Sequence, residues 1–177
     1  MSTGPTEGDL AALAALRIFE DVPAGALEEL LAMAPPLRLE QGSIVFRQGQ
    51  PADVALLVVR GRLVARVQTD AEDREVGEIR AGEIVGEQAL YWPNGRRNAT
   101  VIAREPSTCL LLSPDAARQG TTNPAVVALE QHVLGTLARR IRATNYAIHQ
   151  AWKVDPVEPP PRPTLRDRLR ALFGSAP

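Results

Sequence analysis

The chain has 177 residues, of which 45% are hydrophobic and 23% charged, and its formal net charge is −1. The length predicts one domain with a sizeable core plus extensions, and the near-zero charge gives no global field toward nucleic acid or acidic membranes. A single cysteine, Cys109, excludes a disulfide framework and a cysteine zinc site. The polar first residues and the short apolar stretch after Asp9 do not fit a signal peptide or a membrane span, so we expect a cytoplasmic protein.

The N-terminal part of the chain predicts two short helices. Residues 1–8 are polar and are expected to be disordered. Asp9 fits the N-cap of a first helix over residues 9–17. Pro23 fits the first position of a second helix over residues 24–34.

From residue 37 onward the apolar residues recur with a period of two, which indicates strands. Glycines separate the apolar runs at intervals of about eight to twelve residues, a spacing typical of a β-sandwich or β-barrel. The predicted strands are residues 43–47, 54–60, 62–69, 75–80, 100–104 and 108–112.

The C-terminal third of the chain predicts a long helix over residues 125–152, opened by Asn123-Pro124. Residues 153–163 are proline-rich and predict an extended linker, and residues 164–174 predict a short basic amphipathic helix. This last helix could dock on its own domain, bind a partner protein or rest at a membrane interface. The long helix carries a nearly heptad apolar stripe, which predicts a dimerisation face: Val127, Leu134, Leu137, Ile141, Ile148 and Ala151.

The most informative segment, residues 86–101, reads Gly-Glu-Gln-Ala-Leu-Tyr-Trp-Pro-Asn-Gly-Arg-Arg-Asn-Ala-Thr-Val. Glu87 opens a short helical turn, and Arg97 follows ten residues later, just before a predicted strand. Free N–H groups at the start of a helix and a guanidinium group both suit phosphate oxygens. A carboxylate such as Glu87 can accept hydrogen bonds from a sugar hydroxyl. The segment therefore predicts a site for a small anionic ligand.

This segment resembles the phosphate-binding cassette of the cyclic nucleotide-binding domain family. Three further segments resemble the family in the same order along the chain, namely residues 42–53, 58–64 and 79–87, so the likeness covers roughly residues 15–150. The resemblance implies a mainly β fold with flanking helices: a double-stranded β-helix (jelly-roll) barrel, N-terminal helices before it, and a long dimerisation helix and a short tail helix after it.

The resemblance also implies a ligand, cAMP or less favourably cGMP, and roles for individual residues. Arg97 would pair with the phosphate, Glu87 would hold the ribose 2′-hydroxyl, and Gly86 would let the backbone approach the sugar. Asn98 would donate from its amide to a phosphate oxygen, and the lack of threonine there favours cAMP. The implied binding residues, including the backbone N–H groups of the two residues after Glu87, are Gly86, Glu87, Gln88, Ala89, Arg97, Asn98, Ala99, Thr144 and Asn145.

Residues 138–145, Ala-Arg-Arg-Ile-Arg-Ala-Thr-Asn, resemble the dimerisation helix of the catabolite activator branch of the family. This implies that Thr144 contacts the base and that Asn145 reaches it from the partner subunit of a homodimer. The alternative for Thr144 is a polar break that sets the register of a coiled-coil seam.

Taken together, the residues and the resemblance predict a cyclic nucleotide sensor that is not an enzyme, needs no metal or cofactor and does not bind nucleic acid. About twenty-five residues follow the long helix, too few for a helix-turn-helix domain, so we do not expect a transcription factor acting alone. Two alternatives stay open. One is a ligand-free interaction protein with the same fold, and the other is a DNA-associated regulator that uses the arginines of residues 139–170.

Overall fold

The computed structural model describes residues 5–92 and 94–152. The chain divides into two compact units, with the boundary between Thr136 and Leu137. The first unit holds eight strands, the shorter helices and the beginning of the last helix. The described part of the second unit is the remainder of that helix, so the candidate cassette lies wholly in the first unit.

The strands are preceded by helix α1 (Glu7–Ala14), a 3-10 turn (Arg17–Phe19) and helix α2 (Ala24–Met33). Thr6 and not Asp9 is the N-cap of helix α1, so the cap lies three residues earlier than predicted. The Asp9 N–H donates to Thr6 Oγ1 (3.3 Å) and the Thr6 N–H donates to the Asp9 carboxylate (2.9 Å), which together make a capping box. Residues 6–8, which were expected to be disordered, therefore form the cap and the start of α1.

The eight strands form two antiparallel four-stranded sheets, with orders β1-β8-β3-β6 and β2-β7-β4-β5, and this confirms the predicted mainly β jelly-roll class. The sequence did not predict β6, which has only two residues, or β1, an edge strand that begins with a proline. The strands are β1 (Pro36–Leu39), β2 (Ile44–Phe46), β3 (Ala55–Arg60), β4 (Arg62–Gln68), β5 (Asp73–Arg80), β6 (Ile84–Val85), β7 (Thr100–Ala103) and β8 (Ser107–Leu112).

The core lies between the two sheets. Strand β3 is buried on both faces from Ala55 to Val59; it pairs with β8 and β6 in its sheet, and helix α1 contacts it. Burial raises the pKa of Cys109 to about 12, so this thiol acts as a small apolar residue. The main cluster of buried side chains is Phe46, Leu56, Val58, Leu63, Ile79, Val101, Ala103 and Cys109.

Two helices follow the strands, α4 (Pro114–Gln119) and α5 (Pro124–Trp152). Helix α4 was not predicted, although Ser113 caps it by accepting from the Ala116 N–H (3.1 Å). Asn123 confirms the predicted start of α5, since its Oδ1 accepts from the first free N–H groups of the helix, at 2.8 and 3.3 Å. Its Nδ2 donates to the Ala26 carbonyl (3.1 Å), which ties the start of α5 to α2.

Helix α5 exposes an apolar residue at every seventh position. In the first unit Val127 and Leu134 are 36% and 63% exposed, and in the second unit Ile141 and Ile148 are 60% and 42% exposed. Among the described residues, no helix combines the length and apolarity needed to cross a membrane. The predicted linker and tail helix, residues 153–174, lie outside the described residues.

Candidate functional site

The candidate site lies where the chain crosses from one sheet to the other. Strand β6 belongs to the first sheet and ends at Val85, and β7 belongs to the second and begins at Thr100. The crossing between them contains the four-residue helix α3 (Gln88–Tyr91) and two buried charged residues, Glu87 and Arg97, each only 7% exposed. Burying charge is costly unless the group finds partners, so these two residues mark the crossing as unusual.

Arg97 is held over an aromatic ring. Its Cζ lies 3.5 Å from the centroid of the Phe46 ring, a cation–π contact made under near-complete burial. The Arg97 side chain is 5% exposed, and its Nη2 donates to Asp53 Oδ1 at 3.2 Å. Burial lowers the pKa of Arg97 from its usual value, and the Asp53 carboxylate opposes this shift. The guanidinium nevertheless carries its charge at neutral pH.

The second terminal nitrogen of Arg97 is unused. Arg97 Nη1 is buried and has no hydrogen-bond partner within residues 5–92 and 94–152. A buried donor of this kind costs about 1–3 kcal/mol when nothing accepts from it. An anion that reached Nη1, which is not exposed to solvent in this conformation, would remove that cost.

The backbone of Arg97 is fixed as firmly as its side chain. The Arg97 N–H donates to the Gln50 carbonyl and the Gly49 N–H donates to the Arg97 carbonyl, both at 2.8 Å. Arg96, by contrast, is exposed, and its Nη1 donates to the Gly49 carbonyl at 2.8 Å. Of two neighbouring arginines, only Arg97 is therefore directed inward.

Gly86 makes the room that the Arg97 guanidinium occupies. Its φ is +75°, and a Cβ placed there would lie 2.5 Å from Arg97 Nη1 and 3.0 Å from the Phe46 ring. Both the left-handed backbone and the close approach require glycine at this position. The predicted approach of Gly86 to a sugar stays a prediction.

The other cassette residues surround this arginine. The Ala89 N–H donates to the Gly86 carbonyl at 3.0 Å, so a phosphate would have to share a hydrogen that the turn already uses. Gln88 and Asn98 are exposed, and Asn98 Nδ2 donates to Gln88 Oε1 at 3.2 Å. Ala99 is half-buried. The ligand contacts assigned to these residues stay predictions.

Thr144 and Asn145 lie on α5 in the second unit, and both are exposed. Their predicted contacts with a base remain untested. The aromatic side chains of Tyr91 and Trp92, at the end of α3, are 51% and 71% exposed.

Sequence reasoning did not assign a role to Phe46 or Asp53, although both contact the Arg97 guanidinium. Asp53 was visible as the acidic residue that ends the 42–53 segment, but nothing in the spacing showed which cation it meets. Phe46 lies about fifty residues before Arg97 in the chain, and the β2–β7 pairing helps to bring the two segments together. Within the described residues, no group of three or more histidine, cysteine or acidic side chains could hold a metal ion.

Comparison with known families places this geometry in context. Residues 36–121 match the family model of the cyclic nucleotide-binding domain. The matched range begins with β1 and ends just after α4, so it contains the whole crossing with Glu87 and Arg97.

Several individual proteins are similar to this chain in sequence or in structure. The chain is 39% identical over 101 residues to the acetyltransferase Pat of Mycolicibacterium smegmatis, covering 57% of this chain and 30% of that protein. It is 25% identical over 134 residues to a CRP-like cAMP-activated global transcriptional regulator of Mycobacterium tuberculosis, covering 75% and 58%. The solved structure of a cAMP-binding acyltransferase from Mycobacterium smegmatis superimposes with a TM-score of 0.60 at 31% identity, covering 73% and 42%. The chain thus spans less than two thirds of these relatives.

Proposed function

From the premise that residues 36–121 belong to the cyclic nucleotide-binding domain family, we propose that the protein is a sensor of cyclic nucleotides, with cAMP as the preferred ligand. The observation that carries the proposal is Arg97 Nη1, a buried charged donor that has no hydrogen-bond partner among the described residues. A cyclic phosphodiester supplies one negative charge and unprotonated oxygens, which is what this donor lacks.

The carboxylate of Glu87 complements this phosphate site. Glu87 is buried in the same crossing, ten residues before Arg97, and a ribose hydroxyl can donate to it. A ligand with both a phosphodiester and a free hydroxyl would therefore use the cation and the carboxylate together. In the alternative, a ligand-free interaction protein, nothing would offset the cost of burying an Nη1 that has no hydrogen-bond partner in the described residues.

The preference for cAMP over cGMP rests on two lines of support. By the resemblance, a threonine at the position of Asn98 would favour cGMP, and this chain has asparagine there. Two of the similar proteins are described as cAMP-activated and cAMP-binding. We also propose a regulatory and not a catalytic role. The match to an acetyltransferase covers 30% of that enzyme.

We further propose that the protein forms a homodimer through α5, and that ligand binding changes the position of this helix. The exposed residues Val127, Leu134, Ile141 and Ile148 form an apolar stripe at heptad spacing, which two parallel copies would bury. The ligand can shift such an equilibrium only by its differential affinity for the two states. The partner that reads the output, the role of residues 164–174 and the cytoplasmic location stay predictions.

Sedimentation of wild type and of a double variant, Leu134→Asn with Ile141→Asn, tests the dimer. We expect a dimer for wild type and a monomer for the variant, since two polar amides would replace apolar side chains of the stripe. Gln150→Ala, on another face of α5, is the control and should remain dimeric. A monomeric wild type would contradict the dimer proposal.

Thermal unfolding of nucleotide-free protein with cAMP, cGMP and 5′-AMP tests the sensor. At a hundred times the dissociation constant, a ligand stabilises by about 2.7 kcal/mol, or about 5–10 °C for a chain of this size. We expect the largest shift with cAMP, a smaller one with cGMP and little with 5′-AMP, whose phosphate is a dianion. The absence of any shift with both cyclic nucleotides would support the ligand-free alternative.

A further inference from the structure

Strand β2 has an irregular register beside its last residue, Phe46. On the neighbouring strand β7, the partner of Ile44 is Ile102. The partner of Phe46 is Val101, so two steps along β2 match a single step along β7. An extra residue on one strand is a β-bulge, and bulges re-aim the side chains next to them. We therefore expect Ile44 and Phe46 to face different sides of the sheet.

The burial of β2 agrees with this change of face. Residues two apart in a regular strand lie on the same side, yet Ile44 is 43% exposed and Phe46 only 7%. The Phe46 ring belongs to the main buried cluster between the sheets, and Arg97 Cζ lies 3.5 Å from its centroid. The bulge thus places an aromatic ring against a buried cation that comes from a distant part of the chain.

We propose that Phe46 is a positioning residue for the cyclic nucleotide. Its ring is a platform that keeps the Arg97 guanidinium buried and charged, and that leaves Nη1 for the ligand. The inference rests on the proposed function, because the ring acts on the ligand only through Arg97. It assigns a role in binding to a residue that lies outside the cassette.

The first argument concerns the way in which the buried charge is compensated. A second buried carboxylate would compensate Arg97 but would also accept from its N–H groups. The π face of Phe46 attracts the cation without taking up a strong donor. Asp53 accepts from Nη2, but its side chain is 82% exposed, so water weakens its effect. The ring therefore offsets burial, while Nη1 has no hydrogen-bond partner among the described residues.

The second argument concerns the direction of approach. At 3.5 Å the ring is in van der Waals contact with the guanidinium and covers one of its faces. A phosphate oxygen must therefore meet Arg97 at the edge that carries the N–H groups, as in a strong arginine–phosphate pair. Gly86 lies where ring and guanidinium meet, since a Cβ there would be 2.5 Å from Nη1 and 3.0 Å from the ring.

The third argument concerns the movement that binding requires. Arg97 Nη1 is not exposed to solvent in this conformation, so the guanidinium must shift relative to its surroundings before an anion can reach it. A cation is attracted to an aromatic face anywhere within about 6 Å of the centroid. Arg97 can therefore turn or slide over Phe46 and keep the contact, whereas a second buried ion pair would have to break.

Fluorinated phenylalanines at position 46 test the platform, because each fluorine weakens the negative potential of the ring and hardly changes its shape. Calorimetric titration with cAMP would compare wild type with rings that carry one, two and three fluorines. A weaker ring lets Arg97 move toward solvent in nucleotide-free protein, and binding must then bring it back. We expect affinity to fall stepwise, by about threefold to thirtyfold at three fluorines. A total change below about twofold would overturn the platform.

Two further variants at this position separate the ring from its bulk. Phe46→Leu removes the ring and Phe46→Tyr keeps it, so we expect the leucine variant to bind cAMP at least about threefold more weakly than the tyrosine variant. Ile79→Val, in the same buried cluster, is the control for lost packing. It should lower the melting temperature and bind cAMP as wild type does. Equal affinity losses in Phe46→Leu and Ile79→Val would mean that Phe46 acts by packing alone.

Nuclear magnetic resonance of nucleotide-free protein gives a readout that needs no ligand. Protons above an aromatic face resonate upfield, so the Arg97 Nε–H signal, identified by its loss in Arg97→Lys, should lie upfield in wild type and Phe46→Tyr. It should return to the usual range in Phe46→Leu, and a signal in the usual range for wild type would contradict the platform. If wild type binds cAMP and the fluorinated series is flat, the inference fails and the sensor stands. If wild type binds neither cyclic nucleotide, the proposed function is wrong, and an upfield Arg97 signal then shows a purely structural contact.

Discussion

Two arginines in this protein pair with aspartates in opposite ways. Arg38 of β1 donates from Nη1 and Nη2 to the two carboxylate oxygens of Asp9 in α1, at 3.1 and 2.9 Å. The Arg38 side chain is 43% exposed and the Asp9 side chain 9%. Arg97 donates once to Asp53, at 3.2 Å, with 5% exposed on the arginine and 82% on the aspartate. In the first pair the carboxylate is the buried group, and in the second it is the cation.

The difference separates a structural pair from a binding site. The buried carboxylate of Asp9 has its acceptor capacity filled by Arg38 and by the capping box of α1, so the pair fastens α1 to the barrel and leaves nothing for a ligand. The buried guanidinium of Arg97 has one partner, which solvent also competes for, and one nitrogen without any partner in the described residues. Incomplete pairing of a buried charge is what a ligand can complete.

The largest expected effect comes from removing the half-paired cation. Arg97→Met should weaken cAMP binding by about thirtyfold or more, since losing one partner of a buried ion pair costs about 2–5 kcal/mol. The free energy of unfolding should stay the same or rise, because an apolar side chain replaces a buried charge. Equilibrium dialysis with labelled cAMP and urea unfolding measure the two effects.

Arg38→Met is the matched control, and it should behave in the reverse way. The protein should unfold more easily while its affinity for cAMP stays that of wild type. If both arginine variants weakened cAMP binding equally, or if Arg97→Met were the less stable of the two, the comparison between the pairs would be wrong.

The next effect concerns the space for the guanidinium. Gly42→Ala should cost about 1–2 kcal/mol of stability, because its φ is positive (+83°). The new Cβ itself would meet no neighbouring atom within 4 Å. Gly86→Ala adds a contact of its Cβ with Arg97 Nη1, and overpacking costs about 1–3 kcal/mol more. We expect lower affinity for cAMP in Gly86→Ala alone, by dialysis, together with the larger loss of stability. Equal behaviour of the two alanine variants would mean that Gly86 serves the turn and not the arginine.

The smallest expected effect tests the structural pair of Arg38 and Asp9, and it depends on pH. The hydrogen bond from Arg38 holds the pKa of Asp9 far below its usual value, and burial only partly opposes it. A depressed pKa in the folded state contributes stability that is present above the unfolded pKa, about 3.9, and is lost as the pH falls toward the folded value. Asp9→Asn should therefore be less stable than wild type by about 1–2 kcal/mol near pH 6.

The gap between Asp9→Asn and wild type should narrow below about pH 4, where the unfolded wild type takes up a proton that the folded state does not. Thermal unfolding of both proteins from pH 6 down to pH 3 gives the curves. A gap that stays constant over this range would show that the Asp9 carboxylate is not responsible.

The sequence predicted much of this fold because its signals are local. Six of the eight strands lie in short runs rich in Val, Ile and Leu, and Asn123 marks the start of α5 because its side chain caps the helix. The signals for the missing elements were weaker. Strand β6 has two residues, and Ser113-Pro114 fits both a turn and the first turn of α4.

The site was predictable in its residues but not in its pairing. Glu87 and Arg97 stood out by resemblance and by spacing, yet the ring beneath Arg97 and its carboxylate partner come from the distant Phe46 and Asp53. The direction of the unused Nη1, and the bond between Gln88 and Asn98, depend on three-dimensional packing that no local pattern encodes.

The most direct test is a calorimetric titration of nucleotide-free wild-type protein with cAMP. The account predicts saturable binding of one cAMP per chain, micromolar or tighter, with cGMP weaker. No heat with either nucleotide, and no displacement of one by the other, would contradict the claim that Arg97 is held half-paired for a cyclic phosphate.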